Sequence, residues 1–227
     1  MPQQDAVTKA GERTAYSLAM SDLQCPASLL IARTGEAEYA VPGVLSDDGG
    51  QLTDKGREQV RDLADRLRSR RVAAVYSSTM ERAVQSAELA SSELGVPTVV
   101  TDGLQEFSLG DLAGVSYQDP RVQHVFVGWL HGALDVGCPG AENGQAVVQR
   151  FKDALEGIAD VHRGETVLVF THGGAMSLVV PRLSANVPHD LVLGRRFLPH
   201  CAPVEVAVDA DGWRVSSWPG TVDASVV

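Results

Sequence analysis

Short apolar-rich segments alternate along the chain with longer segments in which apolar residues recur three and four positions apart. The short segments are bounded by polar or glycine-rich turns, a pattern typical of buried strands. They lie at residues 28–33, 72–76, 96–100 and 165–171. Residues 204–208 and 213–217, separated by Asp209-Ala210-Asp211-Gly212, are predicted to form a β-hairpin.

The segments with helical spacing lie between these strands. Thr53 precedes an apolar stripe at residues 60–67 and is predicted to cap the first helix. The hydroxyl residues Ser77-Ser78-Thr79 are predicted to cap the second helix. Further helices are predicted at residues 121–130, 141–158 and 175–183.

The alternation of strands and helices predicts an α/β fold, a three-layer αβα arrangement with a mostly parallel central sheet and helices on both faces. A single domain is expected at residues 28–218, with an insertion at about 107–140 that covers the site. Residues 1–27 are expected to form a partly disordered N-terminal extension, and residues 219–227 a C-terminal tail. A Rossmann nucleotide-binding fold is not supported, because no GxGxxG motif follows the first strand.

Composition narrows the range of partners. The chain has 227 residues, a formal net charge of −10 and 44% hydrophobic residues. An acidic chain is poorly suited to binding nucleic acid or an anionic membrane surface, and no apolar run approaches the roughly 20 residues of a membrane span. We therefore expect a cytoplasmic protein with no nucleic-acid or membrane partner, and a homodimer is left open.

Cysteine and histidine spacing argues against a metal site. The three cysteines, Cys25, Cys138 and Cys201, are widely spaced and form no CxxC pair, so unpaired thiols in a reducing compartment are expected. The six histidines show neither HxH nor HxxxH spacing. No metal and no other cofactor is predicted.

Polar residues that could bind an anion follow three of the predicted strands. Arg33 and Thr34 follow the first strand, Arg82 comes after the second, and His172 directly follows the last central strand. Glu106 lies in a loop beyond the short strand between them. The carboxyl ends of parallel strands meet at one sheet edge, where guanidinium groups would suit phosphate or carboxylate. A carboxyl group beside such a site could protonate a leaving oxygen.

Five short motifs occur in the order and spacing of a known family between about residue 29 and residue 215. They resemble Arg-His-Gly-Glu at residues 33–36, Leu-Thr-x-x-Gly-x-x-Gln at 52–59, Ser-Ser-x-x-x-Arg-Ala at 77–83, the acid/base glutamate segment at Glu106 and the second histidine motif at 171–174. Each motif alone is weak. Together they resemble the histidine phosphatase superfamily, which has the phosphoglycerate mutase-like fold.

The resemblance implies a phosphoryl-transfer site. In that family the first histidine is the nucleophile and becomes a phosphohistidine, while the arginines and the second histidine bind the phosphoryl oxygens. By this resemblance, Arg33, Arg82, His172 and Gly35 would bind phosphate or another anion. The catalytic positions would be Thr34, Glu106 and His172. Thr34 occupies the position of the nucleophile, and its hydroxyl is far weaker than an imidazole unless a base removes the proton.

Two further segments depart from the family pattern. An asparagine that helps to hold phosphate is common after the first motif, but this chain has Tyr39-Ala40, and the usual arginine and glutamine-glycine are missing from residues 41–48. Before the penultimate strand, where an asparagine is frequent, the chain has His200-Cys201-Ala202. The residues predicted to line the pocket are Glu36, Tyr39, Gly173 and His200.

Three functions remain as alternatives, and each has a small anionic metabolite, a phosphate ester or a carboxylate, as its partner. The first is a phosphatase-like hydrolase in which Thr34 impairs or alters phosphomonoester hydrolysis. The second is a catalytically inactive protein that only binds the anion. The third is a repurposed isomerase or lyase in which His172 and Glu106 transfer protons. Mutase activity is least expected, because a mutase must store the phosphoryl group and Thr34 is a poor acceptor.

Overall fold

A six-stranded sheet forms the centre of the computed structural model, which describes residues 25–39, 44, 49–116, 118–193 and 198–220. Its strands are β1 (Ala27–Arg33), β4 (Val72–Ser77), β5 (Thr98–Val100), β6 (Thr166–Thr171), β7 (Val204–Asp209) and β8 (Gly212–Ser217). A separate pair consists of β2 (Ala37–Glu38) and β3 (Gln51–Leu52). The predicted extension up to residue 24 and the predicted tail from residue 221 lie outside the described residues.

The strands of the large sheet lie in the order β5-β4-β6-β1-β7-β8. The first four in this order pair in parallel, whereas β7 is antiparallel to both β1 and β8. The mostly parallel sheet and the C-terminal hairpin predicted from the sequence are therefore confirmed. Because β6 lies between β4 and β1, the residue that follows β6 has a strand end on each side.

Five α-helices lie among the described residues. They are α1 (Asp54–Leu67), α2 (Glu81–Leu94), α3 (Pro120–Leu130), α4 (Gly144–Val161) and α5 (Gly173–Leu183), and two short 3-10 helices span Arg68–Arg70 and Gly110–Leu112. Each α-helix overlaps a segment with the predicted helical pattern. The described helices include none that is both long and apolar enough to cross a membrane.

Alternate residues of the central strands pack against different layers. Leu29 and Ile31 of β1 belong to one core cluster, which also contains the buried residues of α4 and α5. Leu30 and Ala32 belong to the other cluster, together with the buried residues of α1 and α2. Successive strand residues point to opposite faces, so a strand that is apolar throughout must be covered on both sides. This arrangement is the predicted three-layer αβα fold.

The two predicted helix caps have different outcomes. Thr53 is the N-cap of α1, and its hydroxyl accepts a hydrogen bond from the Gly56 N–H at 3.0 Å. The prediction for α2 was wrong, because its N-cap is Met80, which makes no side-chain capping bond. The Ser78 hydroxyl instead lies 2.7 Å from His172 Nε2. Because β4 packs beside β6, this hydroxyl contacts the imidazole, and its bond at the start of α2 is with the N–H of Met80 itself at 3.3 Å.

The three cysteines all lie within described residues and form no disulfide. Cys138 and Cys201 are buried, and burial raises the pKa of the Cys201 thiol to about 12. Among the described residues there is no group of three or more His, Cys, Asp or Glu side chains that could hold a metal ion.

Candidate functional site

Three strand ends meet at one edge of the sheet. The Thr34 N–H donates to the Thr171 carbonyl at 3.2 Å, which joins the end of β1 to the end of β6. On the other side, the Ser78 N–H donates to the Phe170 carbonyl at 3.1 Å. The polar residues after these strands are therefore neighbours although they are far apart in the sequence.

Arg33 ends β1 and lies against the start of α5. Its Nη1 donates to the Leu198 carbonyl at 3.3 Å. A Cβ on Gly173 would lie 3.3 Å from Arg33 Cδ and 3.5 Å from its Nε, so the guanidinium passes closely over this glycine. Burial is the largest effect on the pKa of Arg33 and lowers it; Glu106 and Tyr39 act in the opposite direction, and Arg82 lowers the pKa further.

Arg82, in the first turn of α2, is only 6% exposed. Its Nη1 donates to the Gly49 carbonyl at 2.6 Å. The guanidinium carbon lies 5.6 Å from the centre of the Tyr39 ring, a distance suitable for a cation–π interaction. A cation at a helix N-terminus opposes the helix dipole. These contacts, not the helix, therefore hold the arginine in place.

His172 follows β6 and is the N-cap of α5. The Ser78 hydroxyl lies 2.7 Å from its Nε2, and the same hydroxyl oxygen accepts the Met80 N–H at 3.3 Å. The Ser78 oxygen has two lone pairs and one hydrogen, so it can either donate to Nε2 or accept from it, and the imidazole tautomer sets which. Nδ1 is buried and has no hydrogen-bond partner among the described residues. The described part of the site thus contains a buried imidazole nitrogen without a hydrogen-bond partner.

The electrostatic surroundings of His172 keep its imidazole neutral. The residue is 2% exposed, and its pKa lies well below the ordinary value, first because of desolvation and then because of the charges of Arg82, Arg150 and Arg33. The charges of three arginines act on this one imidazole, although Arg150 is paired with Glu142 and the Glu106 carboxylate acts on Arg33. Guanidinium groups in such a cluster favour an anion, which would form charge-assisted hydrogen bonds with them.

Glu106 approaches the same site from the loop after β5. One carboxylate oxygen accepts the Gly174 N–H at 2.9 Å and the other accepts the Ala175 N–H at 2.7 Å, so the carboxylate caps the first turn of α5. A Cβ on Gly174 would lie 2.8 Å from Glu106 Oε1 and 2.7 Å from the Phe107 ring. A glycine at this position allows the carboxylate to reach the helix terminus.

Arg150 of α4 holds the segment that carries Glu106, and the sequence analysis did not identify it. Its Nη1 donates to the Gly103 and Gln105 carbonyls, each at 2.8 Å, and its Nη2 donates to the Glu106 carbonyl at 3.2 Å. The same guanidinium forms an ion pair with Glu142. No local pattern marks Arg150, because its acceptors are backbone carbonyls of a distant loop.

Thr34 lies at the end of β1 and is 2% exposed. The His200 imidazole lies against it, with Nδ1 2.7 Å from the Thr34 carbonyl oxygen. The structure therefore brings His200, one of the predicted pocket residues, directly beside the predicted position of the nucleophile.

Two other predicted residues contact the helices that flank the arginine cluster. The Gly35 N–H donates to Ser86 Oγ at 3.3 Å, and a Cβ on Gly35 would lie 2.5 Å from the Gly56 carbonyl oxygen. Glu36 forms an ion pair with Lys55 at 2.6 Å and accepts from the Thr53 hydroxyl at 3.2 Å. Because Gly35 has no side chain, its backbone can lie close to α1. The Glu36 carboxylate binds Lys55 and Thr53 at the exposed start of that helix.

The arrangement combines two buried or half-buried guanidinium groups, a buried imidazole and a carboxylate at one sheet edge. It can bind a tetrahedral or planar oxyanion through charge-assisted hydrogen bonds. Ser78 belongs to this site as well, and the signal that could have indicated it was its place at the end of a strand next to β6.

Comparisons with known proteins agree with this architecture. The family model described as "Histidine phosphatase superfamily (branch 1)" matches residues 29–221. Phosphoglycerate mutase-like protein 4 of Arabidopsis thaliana is 30% identical over 201 residues, covering 85% of this chain and 84% of that protein. The metal-independent phosphoserine phosphatase of the same plant is 29% identical over 162 residues, covering 69% and 68%. The solved structure of YhfR from Bacillus stearothermophilus has a TM-score of 0.72 at 27% identity, covering 87% of this chain and 98% of that one.

Proposed function

The chain belongs to the histidine phosphatase superfamily, and on that premise we propose that it binds a small phosphorylated metabolite at the Arg33–Arg82–His172 cluster. Phosphomonoester hydrolysis at this site is altered and slow, because Thr34 stands where the family's nucleophilic histidine is expected. The names of two relatives, a phosphoserine phosphatase and a phosphoglycerate mutase-like protein, favour a small phosphate ester as the ligand.

The unpartnered Nδ1 of His172 carries this proposal. A buried polar atom without a hydrogen bond costs about 1–3 kcal/mol. Among the described residues Ser77 Oγ and Thr98 Oγ1 also lack a partner, so the charges around the His172 ring are what distinguish its nitrogen. The positive charges of Arg82, Arg150 and Arg33 all act on this imidazole. With the imidazole proton on Nδ1, a phosphoryl oxygen would accept from Nδ1 and from the guanidinium groups together. It would thereby offset the cost of the unpartnered nitrogen and of the clustered positive charge.

Thr34 accounts for the altered chemistry. Its side chain offers a hydroxyl, which attacks phosphorus poorly unless a base takes its proton. The residue is 2% exposed, so bulk water does not serve as that base. Hydrolysis in this chain must therefore use a different nucleophile or a different activating group from the rest of the family.

Isothermal titration calorimetry with inorganic phosphate and with phosphoserine tests the binding site. We expect Arg82→Met to weaken phosphate binding roughly 10- to 100-fold, because it removes a charge-assisted hydrogen bond of about 1.5–3 kcal/mol. Arg214→Met is the matched control, since Arg214 is exposed on β8 and far from the site in the fold. Wild-type protein without measurable phosphate binding at millimolar concentration would contradict the proposal.

An inactive anion-binding protein is the second candidate, favoured by the buried Thr34 in place of an imidazole. Turnover of a panel of phosphomonoesters separates the two functions. Rates above buffer that fall in Arg82→Met support hydrolysis. Rates at buffer background in the natural chain, together with activity gained in Thr34→His, would support the inactive binder.

A further inference from the structure

His200 presents an imidazole whose proton is assigned by its hydrogen bond. Nδ1 lies 2.7 Å from the Thr34 carbonyl oxygen, which can only accept, so Nδ1 carries the hydrogen. In the neutral ring the lone pair is then on Nε2. Among the described residues, no hydrogen bond to His200 Nε2 is present. This nitrogen is therefore available to act as a base or a nucleophile.

The backbone around His200 is tied to the end of β1. Arg33 and His200 form an isolated parallel bridge, and the Cys201 N–H donates to the Arg33 carbonyl at 3.0 Å. Cys201 adopts φ 53°, in the left-handed region that non-glycine residues rarely adopt. The fold accepts this strain next to His200, and the two bonds hold the imidazole in register with Arg33 and Thr34.

The surroundings of His200 keep the ring neutral. Burial lowers its pKa most, and the charge of Arg33 lowers it further; the bond to Thr34 and the Glu36 carboxylate raise it, and Lys55 lowers it. Arg33 is close enough to this imidazole to interact with it electrostatically. The Arg33 guanidinium is also the group proposed to bind a phosphoryl oxygen.

Two other histidine rings, those of His162 and His172, have their Nε2 within hydrogen-bond distance of a hydroxyl group. His162 lies between Tyr76, 2.9 Å from Nε2, and Glu165, 2.7 Å from Nδ1. The Nε2 of His172 lies 2.7 Å from the Ser78 hydroxyl. Of these three rings, only His200 has its Nδ1 bound to the Thr34 carbonyl and its Nε2 without a partner among the described residues.

We propose that His200 replaces the imidazole that Thr34 lacks, and that its Nε2 accepts the phosphoryl group from a phosphomonoester held by Arg33 and Arg82. The Nε2 lone pair forms the N–P bond while the P–O bond to the alcohol breaks, and the leaving oxygen takes a proton from water. Water then attacks phosphorus, the N–P bond breaks, and phosphate and the original neutral imidazole are released. This inference rests on the proposed function.

Trapping the phosphoenzyme tests the acceptor. The full-length protein is mixed with p-nitrophenyl phosphate, quenched in alkali and digested, and the phosphorylated peptide is located by mass spectrometry. We expect phosphate on His200 that is stable in alkali and lost in acid, as a phosphoramidate is. Thr34→Ala should retain the label. Acid-stable phosphate on Thr34, or no phosphohistidine at position 200, overturns the proposal.

Steady-state turnover with variants of His200 provides the second measurement. His200→Asn keeps an N–H group that can donate to the Thr34 carbonyl but has no nucleophilic nitrogen, so the fold should be preserved. We expect its kcat to fall at least about 100-fold, consistent with the loss of a nucleophile. His124→Asn on α3 is the matched control. A His200→Asn protein that keeps wild-type kcat overturns the inference.

Phosphate calorimetry distinguishes failure of this inference from failure of the proposed function. If wild-type protein and His200→Asn both bind phosphate but His200 is never phosphorylated, only the role of His200 is wrong. If the wild-type protein binds no phosphate, the anion site itself is wrong.

Discussion

Arg150 and Glu142 form a two-point ion pair within α4 and the turn before it, with Nη2–Oε1 at 2.7 Å and Nε–Oε2 at 2.8 Å. The remaining donors of the guanidinium bind three carbonyls of the segment that carries Glu106. Both side chains are less than a quarter exposed. The pair therefore orients a planar group that fastens the loop after β5 onto α4.

Arg150→Lys should destabilise the protein, because an ammonium group cannot reach the Glu142 carboxylate and three carbonyls at once. We expect a loss of about 2 kcal/mol in the free energy of unfolding, measured by urea denaturation. Arg70→Lys is the matched control, since Arg70 also forms a two-point pair, with Glu205, but on the surface. Equal effects of the two substitutions would contradict the role given to Arg150.

Gly174→Ala should displace the Glu106 carboxylate from the N-terminus of α5. The added Cβ would meet Glu106 Oε1 at 2.8 Å and the Phe107 ring at 2.7 Å. Overpacking of this kind costs roughly 1–3 kcal/mol. Gly157→Ala in α4 is the control, since its Cβ would have no atom within 4 Å, and it should stabilise the protein by about 0.5–1 kcal/mol. Thermal or urea unfolding of both variants measures the contrast.

Tyr39→Leu should weaken phosphate binding, because the ring holds the Arg82 guanidinium at 5.6 Å. A cation–π interaction of about 0.5–1 kcal/mol corresponds to a roughly two- to five-fold change in Kd, measured by calorimetry. Tyr39→Phe keeps the ring and should bind phosphate nearly as well as the wild-type protein. A loss of affinity in Tyr39→Phe as large as that in Tyr39→Leu would indicate that the hydroxyl, not the ring, matters.

Stability should fall as the pH decreases below neutrality. Burial lowers the pKa of both His172 and His200 in the folded protein. Below about pH 6.5 the unfolded chain takes up protons that the folded chain does not, so unfolding is favoured by up to about 1.4 kcal/mol per pH unit for each histidine. Urea unfolding between pH 7.5 and 5.5 measures this slope. His172→Asn should flatten it, and an unchanged slope in that variant would show that His172 does not contribute.

Local sequence patterns account for much of the fold. The bounds of β1, β4 and β6 follow from apolar runs that end in polar turns, and Thr53 caps α1 as its position before an apolar stripe predicts. Such signals act over a few residues. They predict the folded structure correctly because these strands are buried on both faces, as their apolar runs require. The order of the family motifs likewise predicts that Arg33, Arg82 and His172 lie at one edge of the sheet.

The contacts that define the chemistry came only from the tertiary structure. Serine is a residue type that commonly caps helices, but the Ser78 hydroxyl binds His172 because β4 lies beside β6. The Thr34 carbonyl and His200 are 166 residues apart in the chain, yet the pairing of β1 with the segment before β7 brings them into hydrogen-bond contact. Sequence periodicity determined which elements form and which strand ends carry charge. Packing of distant elements decided which donor meets which acceptor, because a side chain's partners depend on positions that no local preference encodes.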